Sequence, residues 1–229
     1  DGDVDDYTMA LDAGQKATVS IAPQSASLSL RAELIAPDGS TLGTADGAAG
    51  ETLLLQNLAV IDDGTYTVRV TQLGGSGNYQ VQLFLNASVE NEAYGGTADD
   101  TLATAQDLDP STKPLRAGAD RLAVLGTLVA GNSDWYGFTL AAGQSASLAV
   151  TRTDLPGTRG IAVELYDASG ALLATGIPAA GNVDQSISGF TATAAGTYYA
   201  KITGGSAMPY SLVVTRSADF SLESKEQKQ

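Results

Sequence analysis

The chain of 229 residues has no cysteine and no histidine. Without cysteine no disulfide staples it, and cysteine usage gives no hint of compartment. Without histidine, a Ser-His-Asp triad and a histidine-ligated zinc centre are both excluded. Basic residues are scarce: 12 Lys and Arg stand against 26 Asp and Glu, a net charge of -14. Such a surface repels phosphate backbones and anionic membranes, which argues against nucleic acid as a partner. The same field attracts cations and keeps the chain soluble. No apolar run approaches the roughly 20 residues of a membrane span. No signal peptide stands at the start, and the first residue is Asp rather than Met, so the sequence reads as a mature or excised piece.

What the chain does have is self-similarity. "GDVDDYTMALDAGQ" (2–15) returns as "GNSDWYGFTLAAGQ" (131–144), and "AELIAPDGSTL" (32–42) as "VELYDASGALL" (163–173). "DGTYTVRVT" (63–71) returns as "AGTYYAKIT" (195–203), and "GNYQVQL" (77–83) as "MPYSLVV" (208–214). The spacing stays near about 130 positions, the mark of two copies of one module.

Within the copies, side chains alternate with period 2, the pattern of half-buried strands. Tyr136, Phe138 and Leu140 fall on one face, with Trp135, Gly137 and Thr139 on the other; Tyr7, Met9 and Leu11 oppose Asp6, Thr8 and Ala10. Tyr66, Val68 and Val70, and later Tyr198, Ala200 and Ile202, form further apolar rows. Turn formers such as Pro37-Asp38-Gly39 and Asp167-Ala168-Ser169-Gly170 separate the runs. Short one-faced strands at regular spacing call for two sheets packed face to face. The expected fold is all-β, two tandem jelly-roll-like β-sandwich domains joined by an acidic linker. The expected bounds are 1–86 for a first, N-terminally truncated sandwich, 87–96 for the linker, 97–216 for the second sandwich and 217–229 for a tail. That tail, "SADFSLESKEQKQ", stands where "NASVENEAYGG" (86–96) stands after the first copy. It reads either as the start of a linker to a further repeat or as a plain terminus.

The succession "DDTLATAQDLD … LGTL … NSDWYGFTLAAGQSASLAV … VELYDASGALLAT … GTYYAKITG … YSLVV" resembles the bacterial pre-peptidase C-terminal (PPC) domain across nearly all of 97–216. Residues 1–86 resemble the later part of a second such domain, and the collagen-binding domains of clostridial collagenases are similar. The resemblance implies a secreted or cell-surface location. It also implies a non-catalytic accessory role in secretion, stabilisation, spacing or attachment, beside neighbouring domains of a longer chain.

Some relatives bind calcium, through a Glu-x-Glu linker segment and an acidic pair near the Trp strand. Calcium is also the one cofactor this composition suits, since it takes 6 to 8 oxygen ligands. The candidate metal ligands are Glu90, Glu92, Asp99, Asp100, Asn132 and Asp134. "AYGGTA" (93–98) intervenes where those relatives have a shorter segment, and the same carboxylates also read as a solvated linker. Paired carboxylates for glycoside hydrolysis are not evident: Glu33 and Glu164 are equivalent positions of separate copies. The chain is therefore not expected to be an enzyme. An alternative function is a binding module for extracellular protein or polysaccharide. Trp135 and Tyr199, which replace Asp6 and Thr67 of the first copy on the outward face, would be its ligand-binding anchors.

Overall fold

The computed structural model describes residues 2–155, 160–179 and 181–220. The predicted tail therefore lies outside the described residues from 221 onward. Strands dominate, and the described helical elements are three short 3₁₀ turns at Glu92–Tyr94, Leu102–Thr104 and Asp109–Ser111. The all-β expectation holds, and the chain divides into two compact units: Asp1–Val89 with Tyr94–Gly96, and Glu90–Ala93 with Thr97–Gln229.

The first unit contains β1 (Val4–Leu11), β2 (Lys16–Pro23), β3 (Ser29–Ile35), β4 (Thr41–Asp46), β5 (Leu53–Ala59), β6 (Gly64–Gly74), β7 (Tyr79–Leu85) and β8 (Ser88–Val89). One sheet runs β1-β6-β3-β4 and the other β5-β2-β7. The inward rows Tyr66, Val68, Val70 and Leu30, Ala32, Leu34 meet Val19, Ile21, Leu53 and Leu55 in one core.

The second unit contains β9 (Gln106–Asp107), β10 (Lys113–Arg116), β11 (Ala119–Leu128), β12 (Ser133–Leu140), β13 (Ser145–Arg152), β14 (Ile161–Tyr166) and β15 (Leu172–Thr175). It continues with β16 (Ile177–Pro178), β17 (Gln185–Thr191), β18 (Gly196–Gly204) and β19 (Met208–Arg216). One sheet runs β15-β14-β18-β12-β9 and the other includes the path β10-β11-β19-β13-β17-β16. Tyr136, Phe138, Leu148, Val163, Ile202, Tyr210 and Leu212 lie in its core.

The two strand orders coincide once β9, β10, β11 and β16 are set aside: β1, β6, β3, β4 correspond to β12, β18, β14, β15, and β5, β2, β7 to β17, β13, β19. Register agrees as well, with Tyr7 opposite Val68 and Leu11 opposite Gly64 as Tyr136 is opposite Ala200 and Leu140 opposite Gly196. Local devices recur. The Tyr66 hydroxyl donates to the Asp62 carbonyl at 2.8 Å, and Tyr198 to that of Ala194 at 2.8 Å. The Asp38 carboxylate accepts the Ser40 N–H at 2.9 Å, and that of Asp167 accepts Ser169 at 2.8 Å, each closing an Asx turn. Asn86 and Ser217 both leave the last strand at positive φ, 59° and 56°.

The copies differ at one edge. In the second unit β9 pairs with β12 in parallel, and β11 runs antiparallel to β19 over nine registered residues from Asp120 to Leu128. In the first unit β1 and β7 are edge strands among the described residues. Tyr7, expected to face inward, is 43% exposed, whereas its equivalent Tyr136 is fully buried. The alternation places the ring correctly; nothing described lies over it.

Candidate metal centre

Period 2 carried one step back along β12 puts Asp134 on the inward row of Tyr136 and Phe138. Asp134 is accordingly buried. Glu90 follows β8; its N–H donates to the Leu125 carbonyl at 2.9 Å, and its Oε2 accepts the Thr127 N–H at 2.7 Å. Its side chain is thus fixed beside β11. The 97–100 segment runs beside the start of β12, where the Asp99 carbonyl accepts the Trp135 N–H at 2.8 Å. The 3₁₀ turn that follows is tied by the Thr101 and Thr104 hydroxyls, 2.8 Å apart.

Glu90, Asp99 and Asp134 meet there, each at most 2% exposed. One carboxylate oxygen from each lies within 4.8 Å of the others. No ion pair among the described residues reaches any of the three. Burial, with repulsion among the three, pushes the Glu90 carboxyl up to about 8 and that of Asp99 up to about 7. Burial raises Asp134 as well, against the opposing pull of the Tyr210 hydroxyl and of a hydrogen bond with Glu90. Asp134 Oδ2 accepts the Tyr210 hydroxyl at 2.6 Å, and the Tyr210 and Tyr136 hydroxyls lie 2.5 Å apart.

The first unit repeats this relay: Tyr79 donates to Asp5, and the Tyr79 and Tyr7 hydroxyls are 2.9 Å apart. Sequence reasoning named the acids but missed the tyrosines. The signal was available, because Asp-x-Tyr and the later Tyr recur in both copies.

Both oxygens of Asp99 and Oδ1 of Asp100 are buried without a hydrogen-bond partner. An unpaired buried polar atom costs about 1–3 kcal/mol, more if charged. Burial and mutual repulsion hold these carboxyls above the usual carboxylate range, so without a cation they ionise less readily. Two ligands of one calcium ion stand at most about 4.6–5.2 Å apart, twice the metal–oxygen distance, and the three oxygens fall within that limit. All-oxygen donors suit calcium rather than zinc. The residues present fit the ion.

Of the other predicted ligands, Glu92 and Asp100 are half-buried and add their charge to the cluster. Asn132 is exposed in the turn before β12. Glu90 and Asp99 are buried rather than solvated, with the Glu90 N–H paired to Leu125 and the Asp99 carbonyl to Trp135.

The outward face of β12, β18 and β14 carries the predicted aromatic anchors. Trp135 is half-buried, its ring 4.9 Å from that of Tyr166 and beneath the Lys201 ammonium at 5.3 Å. Tyr199 is half-buried on the next cross-strand row, opposite Tyr166 on one side and Gly137 on the other. Gly137 leaves the Tyr199 ring room, since a Cβ there would meet it at 3.4 Å.

Residues 132–204 match the sequence model of the bacterial pre-peptidase C-terminal domain. PPC domains are non-catalytic accessory modules of longer chains and occur in secreted bacterial proteins. The match spans β12 to β18 and includes Asp134, Trp135 and Tyr199. No curated protein matches the chain. Among solved structures, the chain is similar to the pre-peptidase C-terminal domain of collagenase from Bacillus anthracis. Identity there is 25%, over 40% of this chain and 86% of that one, with a TM-score of 0.34. The periplasmic inhibitor of g-type lysozyme from Aeromonas hydrophila is 14% identical over 49% of this chain and 95% of that one, TM-score 0.35. The PBSX exported protein XepA is 11% identical over 94% of this chain and 84% of that one, TM-score 0.28. No described helix is long and apolar enough to cross a membrane.

Proposed function

We propose that the chain is a non-catalytic accessory pair of PPC-type modules from a secreted or cell-surface bacterial protein. In this reading calcium locks the second module. The observation that supports it is the convergence of buried Glu90, Asp99 and Asp134 with both Asp99 oxygens unpartnered. Glu90, Asp99 and Asp134 would hold the ion, with Asp100 and Glu92 adding negative charge. When bound, calcium supplies the positive charge that lets the buried carboxyls ionise together.

The protein's own groups prepare the place. The Thr127 N–H and the Tyr210 hydroxyl each occupy one oxygen of Glu90 and Asp134 and so orient the other. Glu90 and Asp99 lie in the connection between β8 and β9, outside the strands themselves, so fastening them to β12 stiffens the entrance to the module. Stripping the ion with a chelator lowers the melting temperature of the second unit, and restoring calcium recovers it. Identical melting curves in chelator and in calcium would end this reading.

A second reading rests on the Trp135, Tyr166 and Tyr199 rings, half-exposed side by side with Lys201 and Glu164. Such a surface stacks on a sugar ring or an apolar side chain. Trp135→Ala and Tyr199→Ala then lose retention on insoluble polysaccharide or collagen; unchanged retention by both would dismiss it.

A further inference from the structure

Between Asp99 and Gln106 the chain leaves β12 and comes back to it. The Asp99 carbonyl accepts the Trp135 N–H at 2.8 Å, and Gln106 pairs with Tyr136, so both ends of the excursion are pinned at adjacent residues of one strand. Its tip lies well away from either end. A Cβ on Gly170, in the turn joining β14 to β15, would meet Leu102 Cδ1 at 3.9 Å. In the sheet order β15-β14-β18-β12-β9, that turn stands beyond β18 from β12. The inner face of the sheet is filled by the core, to which Leu102 does not belong. The loop therefore crosses the outward face, which carries Trp135, Tyr166 and Tyr199.

Little holds the tip in place. The Thr101 and Thr104 hydroxyls keep the turn in shape, 2.8 Å apart, but Thr101, Ala103 and Thr104 are exposed and Leu102 is only half-buried. The base is anchored differently. Asp99 is buried, and neither of its carboxylate oxygens has a hydrogen-bond partner. Next to it, the Ser133 hydroxyl donates to the Asp100 carbonyl at 3.3 Å and accepts the Trp135 indole N–H at 3.2 Å. The residues that start the loop are thus tied on one side to the carboxylate cluster and on the other to the largest ring of the aromatic face. A short loop whose ends lie close together and whose tip has few contacts opens and closes as a unit.

We propose that residues 100–105 are a calcium-fastened cover over the aromatic face, an inference that rests on the calcium reading above. An ion gathered by Asp99 together with Glu90 and Asp134 fixes the base of the loop, which keeps Leu102 against the β14–β15 turn and shields the rings. Removing the ion frees the base, and the loop swings away from Trp135 and Tyr199. Calcium and a ligand that stacks on these rings then oppose one another, each weakening the other by the same factor, as linkage requires.

Trp135 is the one tryptophan in the chain, so its fluorescence reports the cover directly. The test is acrylamide quenching of the full chain in calcium and in chelator, with melting curves taken on the same samples. The Stern–Volmer constant is expected to be at least twofold larger in chelator. Leu102→Ser, which removes the apolar tip but no carboxylate, is expected to show the larger constant in calcium as well while keeping a calcium-dependent melting shift. Equal quenching in calcium and chelator beside a clear melting shift would overturn the cover and leave calcium binding standing, whereas no change in either would remove both. Leu102→Ser quenched no more than the parent in calcium would also overturn the proposal, because the tip would then shield nothing.

Discussion

Replacing Asp99 with asparagine keeps the shape of the side chain and removes a charge that nothing in the described protein neutralises. Each pKa unit is worth about 1.4 kcal/mol. A carboxyl moved from 3.8 to about 7 therefore withholds about 4 kcal/mol from the metal-free fold once it is fully ionised. Because the folded value lies above the unfolded one, the folded state holds the proton more tightly. Its contribution is complete below pH 4 and is lost as pH rises through about 7. In chelator, Asp99→Asn should match the parent near pH 4 and exceed it at pH 8 by up to about 4 kcal/mol. At about 2–4 °C per kcal/mol for a domain of this size, that is a melting temperature higher by about 10 °C. In calcium the order reverses, since the variant has lost a ligand. Thermal melts at pH 4, 6 and 8, with and without calcium, decide the matter. A metal-free variant less stable than the parent at pH 8 would refute the idea that Asp99 is a buried, unpaired carboxylate.

Gly126→Ala forces a methyl group against Tyr210 and Tyr136; overpacking of this kind costs about 1–3 kcal/mol, measured by chemical denaturation. Tyr210→Phe removes the donor to Asp134. It should weaken calcium binding at least several-fold, while Phe at the equivalent Tyr79 leaves calcium binding unchanged. Arg216 bonds Asp120, Asp109 and the Thr139 carbonyl, with its side chain 11% exposed. Arg216→Leu, the residue that ends β7 in the first unit, should cost about 3 kcal/mol in urea melts, because two aspartates lose their partner.

The architecture was legible because period-2 rows and turn residues are written twice. "DGTYTVRVT" and "AGTYYAKIT" both place their first tyrosine over a corner and their alternate apolar residues inside. Exposure was harder to read. Tyr7 and Tyr136 occupy the same place in the pattern, yet only the second is buried, because alternation reports which way a side chain points and not what lies over it. The acidic cluster was half legible. Composition and the resemblance to calcium-binding relatives selected Glu90, Asp99 and Asp134 among six candidates, whereas their burial depends on the Glu90 N–H reaching Leu125 and the Asp99 carbonyl reaching Trp135. Those are long-range backbone bonds with no local signature. Asn132, chosen for its closeness in sequence, belongs to an exposed turn instead.

The decisive measurement is a calorimetric calcium titration of chelator-stripped protein, run at pH 7 in two buffers of different ionisation heat. Protons held by Glu90 and Asp99 near neutral pH must leave as the ion enters. One site per chain is expected, with a heat that changes with buffer as protons are released and no binding after Asp134→Asn. Binding that releases no protons, or that survives Asp134→Asn intact, would contradict it.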